Sequence, residues 1–203
     1  MLPSRRRRLA VAVLAAGVLA VPGVAHATPT AAAAPAAAPD RTAVASISWT
    51  LVRAQNPTQD QLAAYDLITS AMNAAVARYN NLSDLGKSIT VHYEPGVPTA
   101  DGNINGTIRF GNRAYMTERT ALHEIAHTIG VGTSGSWGSL SSGGTWRGAQ
   151  ATTLVRQYDG SGASISCGGG HFWPYGLNYE NEFSQTNADR HVEIVEAMVA
   201  DGL

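Results

Sequence analysis

Two histidines four residues apart, His123 and His127, flank Glu124 in the stretch ALHEIAHTIGVGTSGSW over residues 121–137. On a helix, residues four apart project from the same face one turn apart, so both imidazoles can bind one cation through neutral nitrogens, a donor pair suited to zinc. Glu124 steps about 100° round the helix from His123, which sets a carboxylate beside the cation, where it can take a proton from water. The chemistry on offer is hydrolysis, with a Lewis acid to polarise a carbonyl and a base to activate water. Leu122, Ile125, Ala126 and Ile129 make the rest of this helix apolar. Two histidines and a glutamate in such surroundings are costly to leave without partners.

The elements that must position this group are legible in outline. Thr117 stands at the N-cap of the histidine-bearing helix, Glu118 lies near the positive end of its dipole, and Gly130 ends it in the left-handed conformation. Upstream, VASISWTLV alternates as a strand with Ile47, Trp49 and Leu51 on one face. Thr58 and Gln61 form a capping box that opens a long helix, with Leu62, Tyr65, Ile68, Met72, Ala75 and Tyr79 at helical spacing. SITVHYE and GTIRFG read as two further strands. Residues 131–170 are dominated by Gly and Ser and read mostly as loop, interrupted by one helix in GAQATTLVRQY. DRHVEIVEAMVADGL closes the chain as an amphipathic helix. This order predicts an α+β domain over residues 41–203, with no internal repeat.

The composition sets the context. Arg5 to Arg8, the apolar LAVAVLAAGVLAV and AHA at Ala25 to Ala27 have the three-part layout of a secretory signal peptide over residues 1–27. TPTAAAAPAAAPD follows as an Ala/Pro-rich linker or pro-segment over residues 28–40. The expected product is exported, without a membrane anchor, since no later segment approaches the roughly 20 apolar residues of a spanning helix. The chain has 14 basic and 15 acidic residues, and loss of the four leading arginines leaves 10 against 15. A mildly acidic balance gives no reason to expect a nucleic-acid partner. Cys167 is the single cysteine, which rules out an internal disulfide and suits a buried thiol.

With these residues in view, the chain resembles the zincin superfamily of metallopeptidases, and HEIAHTIGVGT resembles the metzincin pattern H-E-x-x-H-x-x-G-x-x-H. His123, Glu124, His127 and Gly130 match that pattern, while Thr133 stands where it has a third histidine. The resemblance implies a zincin-like domain with a small, mostly antiparallel sheet, a long backing helix, the HExxH helix and a C-terminal helix. It implies a Zn2+ cofactor, a protein or peptide substrate, and hydrolysis by metal-activated water with Glu124 as general base. Threonine is a poor zinc ligand, so the third ligand must come from further along. His171 opens HFWPYGLNY, and only His92 and His191 remain beside it in the exported chain. Glu182 is the alternative, because thermolysin-like zincins use a glutamate on a later helix; Glu180 and Cys167 stand behind both.

Tyr175 and Tyr179 are candidate donors to the oxyanion that forms when water attacks a carbonyl. The loop around Trp137 and Trp146 can wall a substrate cleft. GTIRF, the strand before the HExxH helix, is expected from the resemblance to pair with an extended peptide substrate. DGNINGTIRFGN opens like a calcium loop at Asp101, Asn103, Asn105 and Gly106, but has Asn112 at its closing position. Asn105 and Gly106 read better as a hairpin turn. The alternative to an enzyme is a zincin-fold metal-binding or interaction module without turnover, in which Glu124 would have no task.

Overall fold

The capping box at Thr58 closes in both directions: the Gln61 amide donates to Thr58 Oγ1 at 3.2 Å, and the Thr58 amide donates to Gln61 Oε1 at 2.9 Å. It starts α1, Gln59–Leu82, which buries Tyr65, Ile68, Met72, Ala75 and Tyr79 along one stripe. Leu62, in the first turn, lies outside the stripe at 37% exposure. The computed structural model describes residues 45–203, so the signal-peptide reading of residues 1–27 and the linker reading of residues 28–40 lie outside the described residues. No helix among the described residues is long and apolar enough to cross a membrane.

The architecture is α+β. β1 (Ile47–Leu51), β2 (Lys87–Tyr93), β3 (Ala100–Asn103) and β4 (Thr107–Phe110) form one sheet in the order β1-β2-β4-β3. Ile47, Ile89, Val91, Ile108 and Phe110 point to its buried face, where α1 and α2 (Glu118–Ile129) pack. Period-two alternation puts one face in the core and leaves the other to solvent.

The expectation of a mostly antiparallel sheet is corrected here. β1 pairs with β2 and β2 with β4 in parallel, and only β3 runs antiparallel, against β4. The reason is topological, since α1 is a crossover connection that returns the chain in the same direction, whereas only the β3–β4 turn is tight enough for a hairpin. That turn matches the reading of Asn105 and Gly106: Gly106 has φ 83° and its amide donates to Asn103 O at 2.9 Å.

Residues 131–170 hold more order than expected. α3 (Trp137–Leu140) and α4 (Ala149–Asp159) lead into a second, two-stranded sheet of β5 (Ser166–Gly168) and β6 (His171–Trp173). The turn between them is Gly169 and Gly170, with φ 57° and 82°. A two-residue hairpin requires positive φ at both central positions, which two glycines supply without strain. α5 (Gln185–Ala200) starts four residues before the expected Asp189, capped by Ser184, whose Oγ accepts from the Asn187 amide.

Candidate metal centre

α2 forms as its signals indicate, with Thr117 Oγ1 accepting from the Thr120 amide and Gly130 closing the last turn at φ 142°. Its buried length carries His123 and His127 with ring centroids 4.7 Å apart. Each ring is fixed by a carbonyl: His123 Nδ1 lies 2.8 Å from Gly176 O, and His127 Nδ1 lies 2.7 Å from Val131 O. A carbonyl oxygen only accepts, so both Nδ1 atoms carry the proton and both Nε2 atoms carry a lone pair. Those two Nε2 atoms face each other at 3.1 Å.

His171 completes the group. Its ring stacks on His123 at 5.2 Å and 15° and meets His127 edge-on at 5.3 Å. One nitrogen from each of His123, His127 and His171 lies within 4.8 Å of the others. The hairpin delivers His171 because β6 begins directly after the Gly169-Gly170 turn, and that turn presses on the loop after α2. A Cβ on Gly132 would meet Gly170 O at 2.3 Å.

Glu124 is buried at 5% exposure, and its Oε2 has no hydrogen-bond partner. Burial pushes its carboxyl up to about 8, the Asp101 charge adds to the rise, and Arg119 opposes it. Burial, then the neighbouring His127, holds His123 well below the ordinary imidazole range, and burial lowers His127 against the pull of its Val131 hydrogen bond. Two neutral imidazoles whose lone pairs face each other, a third imidazole within reach and an unpartnered carboxyl beside them make a donor set of the kind that zinc takes. The residues present fit the ion.

A cavity of about 350 Å³ holds all four side chains. Ala100, Asp101 and Gly102 of β3 form part of its wall, as do Gly132, Gly169 and Gly170. Gly102 is what lets the strand approach, because a Cβ there would meet Glu124 O at 2.4 Å.

Several expected participants lie elsewhere. The Tyr175 hydroxyl donates to Asp159 Oδ1 at 2.6 Å and accepts from Arg190 Nη1 at 2.6 Å, away from the histidines. Tyr179 is 63% exposed, and neither tyrosine lines the cavity. Glu182 accepts from the Asn178 amide at 2.7 Å and from Trp173 Nε1 at 3.2 Å, so its carboxylate organises a loop. Glu180 pairs with Arg119 at 2.9 Å, and Cys167 sits half-buried on β5, its thiol pushed up by burial to about 11. Trp146 is buried with its Nε1 donating to Asp201 Oδ2 at 2.9 Å, and Trp137 packs beside it, so neither walls the cavity. Thr133 lines the cavity, yet its hydroxyl donates to His127 O at 2.6 Å and caps the helix end. The Asp101 carboxylate forms an ion pair with Arg109 across the hairpin.

Residues outside the histidine motif and its candidate partners also belong here. Arg119, Tyr115 and Asn178 line the cavity. Arg119 had a usable signal, since it stands four residues before His123 on the face that also bears His127. Tyr115, in a 3-10 turn over Arg113–Tyr115, and Asn178, in a loop, had none. No protein-family model, curated protein or solved structure matches this chain.

Proposed function

We propose that this chain is an exported, zincin-like zinc peptidase, in which His123, His127 and His171 hold the ion and Glu124 is the general base. The observation that carries the reading is the facing pair of Nε2 acceptors 3.1 Å apart, with both Nδ1 atoms already committed to carbonyls. Two lone pairs at that distance repel unless a cation lies close to both, and His171 supplies a third donor at the same spot. A zinc ion bound there supplies Lewis acidity and lowers the pKa of water toward neutrality.

The chain's own residues supply the rest. Glu124 has no hydrogen bond to hold its Oε2. Once ionised by the charge of a bound cation or above its raised pKa of about 8, it accepts the proton that water gives up on attacking a carbonyl and passes it to the departing amine. Tyr115, in place of Tyr175 or Tyr179, is the phenol that lines the cavity and the candidate donor to the oxyanion. The expected substrate strand also changes. β4 is paired on both sides, by β2 and β3, whereas β3 ends the sheet and borders the cavity. An extended peptide can add to β3 through main-chain hydrogen bonds, which gives affinity with little sequence choice.

The test is zinc content and hydrolysis of a casein-like substrate by the mature protein and by Glu124→Gln. We expect about one zinc per chain in both, with turnover only in the parent. Less than about a tenth of an equivalent after zinc dialysis rejects the metal centre. Bound zinc without turnover in the parent leaves a metal-binding module.

A further inference from the structure

Resting on the metal-centre reading, we infer that His191 is a positioning residue for that centre, its Nδ1–H holding the backbone segment whose next carbonyl orients His123. Three successive carbonyls carry the inference. Tyr175 O lies 2.7 Å from His191 Nδ1 on α5, Gly176 O lies 2.8 Å from His123 Nδ1 on α2, and Leu177 O accepts from Arg119 Nη1 at 2.7 Å. The carbonyl that sets the tautomer of His123 is therefore clamped on both sides.

The segment needs such a clamp. Tyr175 and Leu177 have φ 66° and 55°, and side chains with a Cβ persist in that region only where the surroundings over-determine them. His191 suits the task because it is fully buried and its ring stacks on Phe172, the neighbour of His171, at 5.8 Å and 14°. Its Nε2 lies 3.1 Å from Tyr79 Oη and 3.1 Å from Leu122 O. A proton on Nδ1 serves the shorter carbonyl contact, 2.7 Å to Tyr175 O, and leaves Nε2 to accept from the Tyr79 hydroxyl. The opposite tautomer would serve Leu122 O at 3.1 Å and set a lone pair against Tyr175 O at 2.7 Å. α5 thus reaches the metal centre without touching it: His191 holds residue 175, and residue 176 holds His123.

The test compares His191→Asn with His191→Gln in the mature protein. Asparagine places an amide nitrogen where Nδ1 stands and keeps a donor for Tyr175 O, whereas glutamine reaches the Nε2 position and keeps only the Tyr79 end. In competition with a chromophoric chelator, the Asn variant should bind zinc within about threefold of the parent and the Gln variant roughly 10- to 100-fold more weakly, the usual loss when a ligand's outer support is removed. Nitrogen NMR of the metal-free parent should show both His191 and His123 protonated at Nδ1, and His123 should lose that single tautomer in the Gln variant. Equal zinc affinity in the two variants, whether lowered together or unchanged, overturns the inference. So does a parent with the His191 proton on Nε2, which needs no variant to fold and no metal to bind. A parent that binds no zinc defeats the metal centre, and the tautomer of His191 and its effect on His123 still decide this inference.

Discussion

The interior contains two histidine arrangements that begin alike and end in opposite ways. His191, like His123 and His127, gives its Nδ1 proton to a carbonyl, at 2.7 Å against 2.8 and 2.7 Å. The difference lies at Nε2, which in His191 meets the Tyr79 hydroxyl at 3.1 Å, and in His123 and His127 meets the other's Nε2 at the same distance. A hydroxyl can donate, and a second lone pair cannot. Burial drives the His191 imidazole down to about 4, so a neutral ring results whose Nε2 has a hydroxyl within reach as donor. The pair on α2 is also held toward the neutral form by burial, but is incomplete. Burial alone therefore does not distinguish a structural histidine from a candidate ligand; what remains unpaired after the carbonyls are served does.

Four experiments can break or sharpen this contrast. The largest effect is expected from Glu124→Gln, which leaves the imidazoles in place and should lower kcat/KM on a casein-like substrate by about 10²- to 10⁴-fold, with zinc retained on elemental analysis. Zinc itself should complete the incomplete pair and stabilise the fold by about 4 kcal/mol at a thousandfold excess over Kd. Thermal melting should register this as a rise of roughly 8–16 °C for a domain of this size, lost in His171→Ala and kept in Glu182→Ala. A melt in which Glu182→Ala abolished the rise would move the third ligand to that residue.

The complete site can be made incomplete in turn. Tyr79→Phe takes the donor from His191 Nε2 and should destabilise the protein by about 1–3 kcal/mol in chemical denaturation, the penalty of a buried unsatisfied group. Its zinc stoichiometry should stay that of the parent, because a single free nitrogen is not a site. The smallest effect is expected from calcium, which should shift the melting temperature by less than about 1 °C, because the one carboxylate of the Asp101 loop is paired with Arg109. A larger shift would show a second cation site at the hairpin.

The sequence by itself determined what depends on near neighbours. Helical periodicity and the caps at Thr58 and Thr117 set α1 and α2, and spacing of four put His123 and His127 on one face with Glu124 beside them. It also showed that Thr133 makes a poor ligand; its hydroxyl instead closes the helix end on His127 O. β3 was not legible, since Ala, Asp, Gly and Asn are all weak strand formers, and it exists because the hairpin lays it along β4 and Gly102 lets it approach α2. The choice of His171 over Glu182 was likewise open in the sequence, because both belong to one aromatic loop segment. Only the tertiary structure brings His171 to the other two histidines, by turning the chain at Gly169 and Gly170 against Gly132, while Glu182 is held by Asn178 and Trp173. The direction of the Tyr175 hydroxyl is likewise set by Asp159 at the end of α4 and Arg190 on α5. The physical reason is one of range: periodicity and capping act over a few residues, while the convergence of His171 with His127 and His123, 44 and 48 positions earlier, depends on which backbones can approach closely.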